Sequence, residues 1–182
     1  FPTRRSSDLP LVGSSFIELP PFFKNKQAII NVKNTDEQCF KWAILSALFP
    51  VLDHGDRVSM YYPHEEKLNW SGLTFPVKLP QIRIFERNNI NLTVNVYEAK
   101  NSEVVPVYLT NHTKRSAHID LLLLTEGDKS HYAWIKSMSR LISSRSSHKH
   151  KTFVCPHCSH PFTREEAFTS HFPDCSRHVR QI

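Results

Sequence analysis

Apolar residues recur at helical spacing in an early segment, residues 37–49. They fall on one helix face at Phe40, Ala43, Ile44, Ala47 and Leu48. The side chains of residues 34–36 (Asn-Thr-Asp) are suited to capping a helix N-terminus, and a proline follows the segment. We therefore predict a helix over 37–49, with weaker helical patterns over 54–68, 80–86 and 138–144.

The pattern changes to a period of two in the middle of the chain, which is typical of β-strands. Residues 92–97 alternate in this way, and further β-type runs cover 27–32, 104–109, 119–124 and 131–135. The run at 119–124 is apolar except for Asp120 and predicts a central strand, whereas Pro106 confines its own strand to an edge or a bulge. A turn at 126–128 (Glu-Gly-Asp) makes the last two strands a hairpin. The order predicts an α+β domain over 27–142, in which an N-terminal helix packs on an antiparallel sheet.

Both ends of the chain differ in composition from this domain. Residues 1–9 (FPTRRSSDL) resemble the translation of a widely used sequencing adapter, so we exclude them from fold reasoning and expect the native N-terminus to be missing. Residues 10–26 are rich in proline and aromatic side chains and predict an extended arm. Residues 143–151 (SSRSSHKHK) predict a basic linker. The formal net charge is +6, or about +5 without residues 1–9, which favours polyanionic partners.

Four potential metal ligands follow the linker in the pattern Cys155-x2-Cys158-x12-His171-x3-Cys175. The first pair fits a tight turn, and the second pair lies one helical turn apart, so both of its donors leave the same helix face. The segment 152–178 closely resembles Cys2His2 zinc fingers, with Cys175 in place of the last histidine. This resemblance implies two strands and a helix around one zinc ion.

The finger segment also carries the apolar positions of that family. They are occupied by Phe153, Phe162 and Phe168. Three further histidines lie nearby, and we expect them to be exposed rather than ligands: His157, His160 and His178.

The resemblance to these fingers implies which residues would face a nucleic acid. Arg164, Ala167 and Ser170 stand at the base-reading helix positions, and only Arg164 is suited to guanine. A single finger covers little surface, so we predict non-specific binding supported by phosphate contacts. The basic residues expected to make them are Arg140, Arg145, Lys149, Lys151 and Arg164. A structural or protein-docking role for the finger stays open.

The cysteine distribution indicates a reducing compartment. Three of the 4 cysteines stand at metal-ligand spacing, and Cys39 stands alone far upstream, which is not a disulfide framework. We therefore expect an intracellular protein of the nucleus or cytoplasm. No apolar run approaches the roughly 20 residues of a membrane span, so no membrane association is predicted.

Cys39 falls in the first turn of the helix predicted over 37–49, where the helix N-terminus lowers a thiol pKa. His131 opens a downstream strand, and a cysteine at a helix start with a histidine on a sheet is the arrangement of papain-like cysteine peptidases. Asp36-x-x-Cys39 and His131-Tyr132 resemble, more narrowly, the motifs of ovarian-tumour-type deubiquitinases. This resemblance implies that Cys39 is the nucleophile and His131 its base.

Two positions depart from those deubiquitinase motifs. Glu37-Gln38 replace the usual Gly-Asn, and Ala133 stands where an Asn or Asp would orient the histidine. Activity is then expected to be slow or lost, unless Asp120 or Asn34 orients the imidazole instead. The alternative is that Cys39 is a small buried core residue and the histidine only caps a hairpin.

The order of several short motifs resembles a wider family. In chain order they begin at Asn31 (NVKN), Cys39 (CFKW), Phe75 (FPV), Phe85 (FExN), His118 (HIDLLLL), His131 (HY), Ile135 (IK) and Ser139 (SRL), and the finger follows. Over 13–178 they resemble the region upstream of the protein-primed family B DNA polymerase in proteins of Polinton (Maverick) mobile elements. None of the polymerase's catalytic carboxylate motifs is present.

This resemblance implies a fragment or a stand-alone copy of a zinc-binding accessory module of a mobile-element replication protein. Nucleic acid and a downstream polymerase domain are the partners that it implies. The alternative function is a papain-like or ovarian-tumour-type cysteine peptidase or deubiquitinase, either active or degenerate, in which case the motifs persist without activity.

Overall fold

The computed structural model describes residues 16–112, 114–143, 152–175 and 177. The helices are α1 (Pro21–Lys24), α2 (Cys39–Leu48), α3 (Ile82–Asn88), α4 (Met138–Ile142) and α5 (Glu165–Cys175). The strands are β1 (Ile29–Ile30), β2 (Leu92–Lys100), β3 (Glu103–Tyr108), β4 (Ala117–Glu126), β5 (Lys129–Ile135), β6 (Phe153–Val154) and β7 (Pro161–Phe162). The predicted α+β class is therefore confirmed. The adapter-like residues, the start of the predicted arm and nearly all of the linker lie outside the described residues.

Five strands form one sheet in the order β1-β5-β4-β2-β3. β4 is central, as its apolar run predicts, and it forms the predicted hairpin with β5, in which Leu123 lies opposite Tyr132. The turn of this hairpin contains Gly127, whose φ of 58° favours glycine. β3 lies at the edge of the sheet, and its pairing with β2 has a register shift next to Pro106. Pro106 therefore lies both on an edge strand and at an irregularity, the two positions predicted for it.

One strand pair corrects the predicted antiparallel sheet. β2 and β4 run parallel, with Val94 opposite Ile119. After β2 the chain turns back through the edge strand β3, and residues 109–116 return it to the starting end of β2, so β4 must run in the direction of β2. The alternation of residues 92–97 predicts a strand with one exposed face, which is also wrong, since all six residues are buried. Strands of parallel pairs are usually covered on both faces, and this one is.

The first face of the sheet packs against α2 and α3. Phe40 of α2 lies edge-on to Phe85 of α3 at 5.5 Å and to Tyr132 of β5 at 5.4 Å between ring centroids. Cys39 belongs to the same buried cluster. A helix of ten residues is marginal alone, so burial of this apolar face is what holds α2 in place.

The start of α2 is organised by Asp36. Its carboxylate accepts hydrogen bonds from the main-chain N–H of Gln38 at 3.0 Å and from the indole of Trp42 at 3.1 Å. Asn34 in turn donates to Asp36. α2 therefore begins at Cys39, two residues later than predicted, because the polar residues before it form a turn of their own.

The weaker helical patterns give shorter elements than predicted. Residues 54–68 contain two 3₁₀ helices, Val58–Met60 and Tyr62–Lys67, and not one α-helix. A proline near the start of the second 3₁₀ helix removes a backbone donor that a continuous helix would use. Among the described residues, no helix is long and apolar enough to cross a membrane.

The second face of the sheet is divided into an apolar half and a polar half. The apolar half contacts α1 and α4 through Phe23 and Leu141, and it includes Tyr97, Leu122, Leu124, Ala133 and Ile135. The polar half consists of alternate residues of β2 and β4, namely Thr93, Asn95, His118 and Asp120. The small C-terminal hairpin and helix cover this polar half.

Candidate metal centre and its contact with the sheet

The C-terminal segment folds as the two strands and one helix that its resemblance to Cys2His2 fingers implies. β6 and β7 pair with Phe153 opposite Phe162, and α5 packs on them. The ring of Phe168 lies 6.2 Å from that of Phe153 and 6.1 Å from that of Phe162, between centroids. The three phenylalanines therefore form the small core that was predicted for them.

Four side chains converge at one end of this core. The donor atoms of Cys155, Cys158, His171 and Cys175 all lie within 4.8 Å of one another. The Sγ atoms of Cys155 and Cys175 are 4.0 Å apart, and Cys158 Sγ lies 3.2 Å from His171 Nε2. Tetrahedral Zn²⁺ with ordinary bond lengths requires donor separations of about 3.6–3.8 Å. The Cys158–His171 separation is shorter than this range and no separation exceeds 4.8 Å, so the four donors can hold a metal ion after shifts of up to about 1 Å.

Two thiols of this cluster, those of Cys155 and Cys175, have a raised pKa in the absence of a metal. Burial raises the pKa of Cys155, and burial together with the nearby thiols of Cys158 and Cys155 raises the pKa of Cys175 to about 12. Burial disfavours the charged thiolate of these two residues, and neighbouring sulfur atoms add to the effect. A bound cation stabilises the thiolates, and its binding releases protons.

His157 corrects one prediction made from the sequence. It was expected to be exposed, but its exposed fraction is 6%, and its Nδ1 lies 3.2 Å from Cys175 Sγ. An N–H at this position is placed to donate a hydrogen bond to the sulfur, which is how outer residues commonly orient metal ligands. His160 is exposed as expected, and His178 lies outside the described residues.

The finger is held against the polar half of the sheet by its first turn. Asn95 is fully buried, and its Nδ2 donates to the carbonyl of Pro156 at 2.7 Å, while its Oδ1 accepts from the N–H of Thr110 at 2.9 Å. The hydroxyl of Tyr97 lies 3.1 Å from that of Ser159. Pro156 follows Cys155 and Ser159 follows Cys158, so the turn that carries these two candidate ligands also makes the contact.

The structure buries both members of the predicted Cys39–His131 pair. Cys39 is 1% exposed and His131 is fully buried. Burial raises the pKa of the Cys39 thiol to about 12, although hydrogen bonds from the main chain, that of Tyr132 first, oppose this rise. The position at the start of α2 therefore does not give the lowered pKa expected from the sequence, because loss of hydration outweighs the effect of the helix N-terminus.

His131 is oriented by a residue that the sequence analysis did not select. Its Nε2 lies 2.8 Å from Oδ1 of Asn31, which identifies Nε2 as the donor. The two candidates for this role are engaged elsewhere, since Asp120 lies 3.0 Å from His118 Nε2 and Asn34 binds Asp36. Tertiary structure brings Asn31 from the end of β1 beside β5, a pairing that the sequence separation of 100 residues concealed.

Comparison with models of protein families, with curated proteins and with solved structures finds no match to this chain.

The helix face that corresponds to base recognition stays open to solvent. Arg164, Ala167 and Ser170 are all exposed, because the finger contacts the sheet through its turn and not through this face of α5. Of the other basic residues expected to bind phosphate, Arg140 is exposed. Arg145, Lys149 and Lys151 lie outside the described residues.

Proposed function

We propose that the chain is a zinc-binding accessory module of a mobile-element DNA replication protein, of the Polinton type, and that it associates with nucleic acid. The cluster of three thiols and one imidazole carries the zinc part of the proposal. Such a donor set at tetrahedral spacing favours Zn²⁺ over ions that prefer oxygen ligands. The order of sequence motifs supports the link to a replication protein. The exposure of Arg164 on the open face of α5 and the net charge of +6 support nucleic-acid association.

Cobalt titration of the full chain tests the metal part of this proposal. We expect Co²⁺ to bind with the thiolate charge-transfer and d–d absorption of a tetrahedral site, and Zn²⁺ to displace it. Cys175→Ala should weaken binding by more than about 100-fold, because loss of a ligand exceeds the 10–100-fold effect of an outer residue.

The matched control for that substitution is His157→Ala, because His157 contacts Cys175 without being a ligand in this assignment. It should keep the tetrahedral spectrum and lose no more than about 100-fold in affinity. An unchanged spectrum in Cys175→Ala, with a lost spectrum in His157→Ala, would show that the fourth ligand is the histidine.

A cysteine peptidase is the second candidate, and the Asn31 contact is the observation that favours it. An Asn that binds the histidine and a cysteine at a helix start reproduce the residue types of Cys-His-Asn peptidases. The burial of Cys39 and its raised pKa disfavour it, because the thiolate is the nucleophile.

Thiol labelling separates the two functions. With a pKa of about 12 instead of 9.0, the Cys39 thiolate fraction near pH 7 is about 1,000-fold below that of an ordinary thiol. In the zinc-loaded chain we expect Cys39 alkylation, mapped by mass spectrometry, to be at least that much slower than in the denatured chain. Its rate should rise about tenfold per pH unit while the fold persists. Rapid labelling by a ubiquitin-based electrophile, abolished by His131→Ala, would instead support the peptidase.

A further inference from the structure

A groove runs from α3 to the finger along the end of the sheet where β2 and β4 begin. Two cavities of about 210 and 330 Å³ meet at His112 and Arg115 to form it. The finger contributes Phe172 and His157 to one wall. The smaller cavity therefore depends on the contact between the finger and the sheet, whereas the larger one is lined without the finger.

Three arginines converge on this groove. Arg83 and Arg87 are exposed and lie four residues apart, so they share one face of α3. Arg115 stands between α3 and the finger, where its Nη1 donates to the carbonyls of Glu86 and Leu92 at 2.5 and 2.8 Å. These two contacts fix the direction of the guanidinium without neutralising its charge.

The carboxylates nearest to the groove do not pair with these arginines. Glu86 is 1% exposed, and its oxygens accept from the N–H of Val94 and the hydroxyl of Tyr108. Asp120 lies 3.0 Å from the imidazole of His118. Within the described residues, none of the three arginines forms an ion pair with a carboxylate at 4.0 Å or less. Arg83 contacts the hydroxyl of Tyr108, but that partner is neutral, so the charges of the three arginines stay open to a ligand outside the chain.

We infer that this groove binds the phosphate groups of single-stranded nucleic acid, with Arg83, Arg87 and Arg115 as the phosphate contacts. Guanidinium groups bind phosphate through paired N–H donors, which suits a fixed arginine such as Arg115. The groove has aromatic walls at Phe172 and Tyr108, on which unpaired bases can stack. A duplex is too wide to enter cavities of this size, whereas a single strand fits.

This inference rests on the nucleic-acid association proposed above, but it assigns binding to a different surface. Recognition through Arg164 would use the open face of α5. Recognition through the groove uses α3, the start of the sheet and the opposite side of the finger. Substitutions on α3 therefore distinguish the two surfaces.

The experiment measures binding of a fluorescent oligonucleotide of about 12 nucleotides, and of the matching duplex, to the zinc-loaded full chain across a range of salt concentrations. Wild type should prefer the single strand. Arg83→Gln and Arg87→Gln should each reduce the slope of log affinity against log salt by about 0.7, and the double variant by about 1.4. Inorganic pyrophosphate should compete with the oligonucleotide.

Arg57→Gln is the matched control, since Arg57 is an exposed arginine next to β1, at the opposite edge of the sheet. It should leave the slope unchanged, and thermal unfolding should confirm that all variants fold. Equal losses in Arg57→Gln and the α3 variants would overturn the groove while leaving nucleic-acid association intact. If pyrophosphate binds but the oligonucleotide does not, nucleic acid is not the ligand and the groove binds small phosphates instead. No binding of either would overturn both proposals, and the cobalt titration would still report on zinc.

Discussion

Removal of the metal from the full chain is expected to unfold the finger and also to loosen the sheet beneath it. Structural zinc contributes about 10–16 kcal/mol in finger-sized peptides, far more than the three half-buried phenylalanines of this core can supply alone. The finger should therefore lose its ordered turn, and with it the contacts from Pro156 and Ser159 to the sheet.

The consequence for the sheet follows from the burial of Asn95. Its side chain is fully buried beneath the finger, and it loses the Pro156 carbonyl when the turn unfolds. Apolar burial does not replace that contact, because Thr93 and His118 beside it are polar. We expect amide hydrogen exchange to increase throughout 152–175 and also in the adjoining halves of β2 and β4, while β5 stays protected.

Hydrogen exchange with and without a chelator checks this expectation. If finger and sheet unfold as one unit, zinc at 1,000 times its dissociation constant raises the free energy of unfolding by about 4 kcal/mol. A Cys155→Ser variant serves as the control, because a chelator should change nothing further in it. Faster exchange confined to the finger would show that the finger is tethered to the sheet without stabilising it.

Substitution of Glu86 should give the largest loss of stability of any single charged residue discussed for the α+β domain. Its two carboxylate oxygens accept from the N–H of Val94 in β2 at 2.9 Å and from the hydroxyl of Tyr108 in β3 at 2.8 Å. Burial and the charge of Glu86 raise the pKa of Tyr108, so its hydroxyl remains a donor. One carboxylate thus joins α3 to two neighbouring strands.

Glu86→Ala leaves a buried N–H and a buried hydroxyl without acceptors, and hydrogen bonds to a charged group contribute about 1.5–3 kcal/mol each. We expect urea unfolding to show a loss of about 3–5 kcal/mol. Glu86→Gln is the matched control, because its carbonyl can still accept from Val94; it should lose about 1–2 kcal/mol. A loss below about 1 kcal/mol in Glu86→Ala would mean that water replaces the carboxylate.

The resemblance motifs acquire structural roles that their order alone did not explain. Within the Cys39 motif, Phe40 enters the core and Trp42 binds Asp36. Lys41 is almost buried, with its Nζ 3.0 Å from Glu65 and above the rings of Trp42, Trp70 and Phe75 at 5.2–5.7 Å. The Phe85 motif supplies Glu86. Several residues of these motifs therefore stabilise the fold, so the presence of the motifs is weak support for catalysis.

The sequence by itself determined the elements whose signals are local. Apolar periodicity located α2 and the β4–β5 hairpin, because helix and strand expose side chains at different periods. The spacing of Cys155, Cys158, His171 and Cys175 determined the metal cluster, since a tight turn and one helical turn fix where these donors point.

Only the tertiary structure decided which distant residues meet. The parallel β2–β4 pair, the Asn31–His131 contact and the burial of His157 each depend on how the chain crosses itself, and no local spacing encodes that path. The contact of the finger with Asn95 could not be predicted for the same reason. From sequence alone, an Asn in a strand is expected to face solvent, and only the tertiary structure shows that the finger covers it. Cys39 shows the physical basis most directly: its place at a helix start predicts a lowered pKa, but packing removes the water that would stabilise the thiolate and raises the pKa instead.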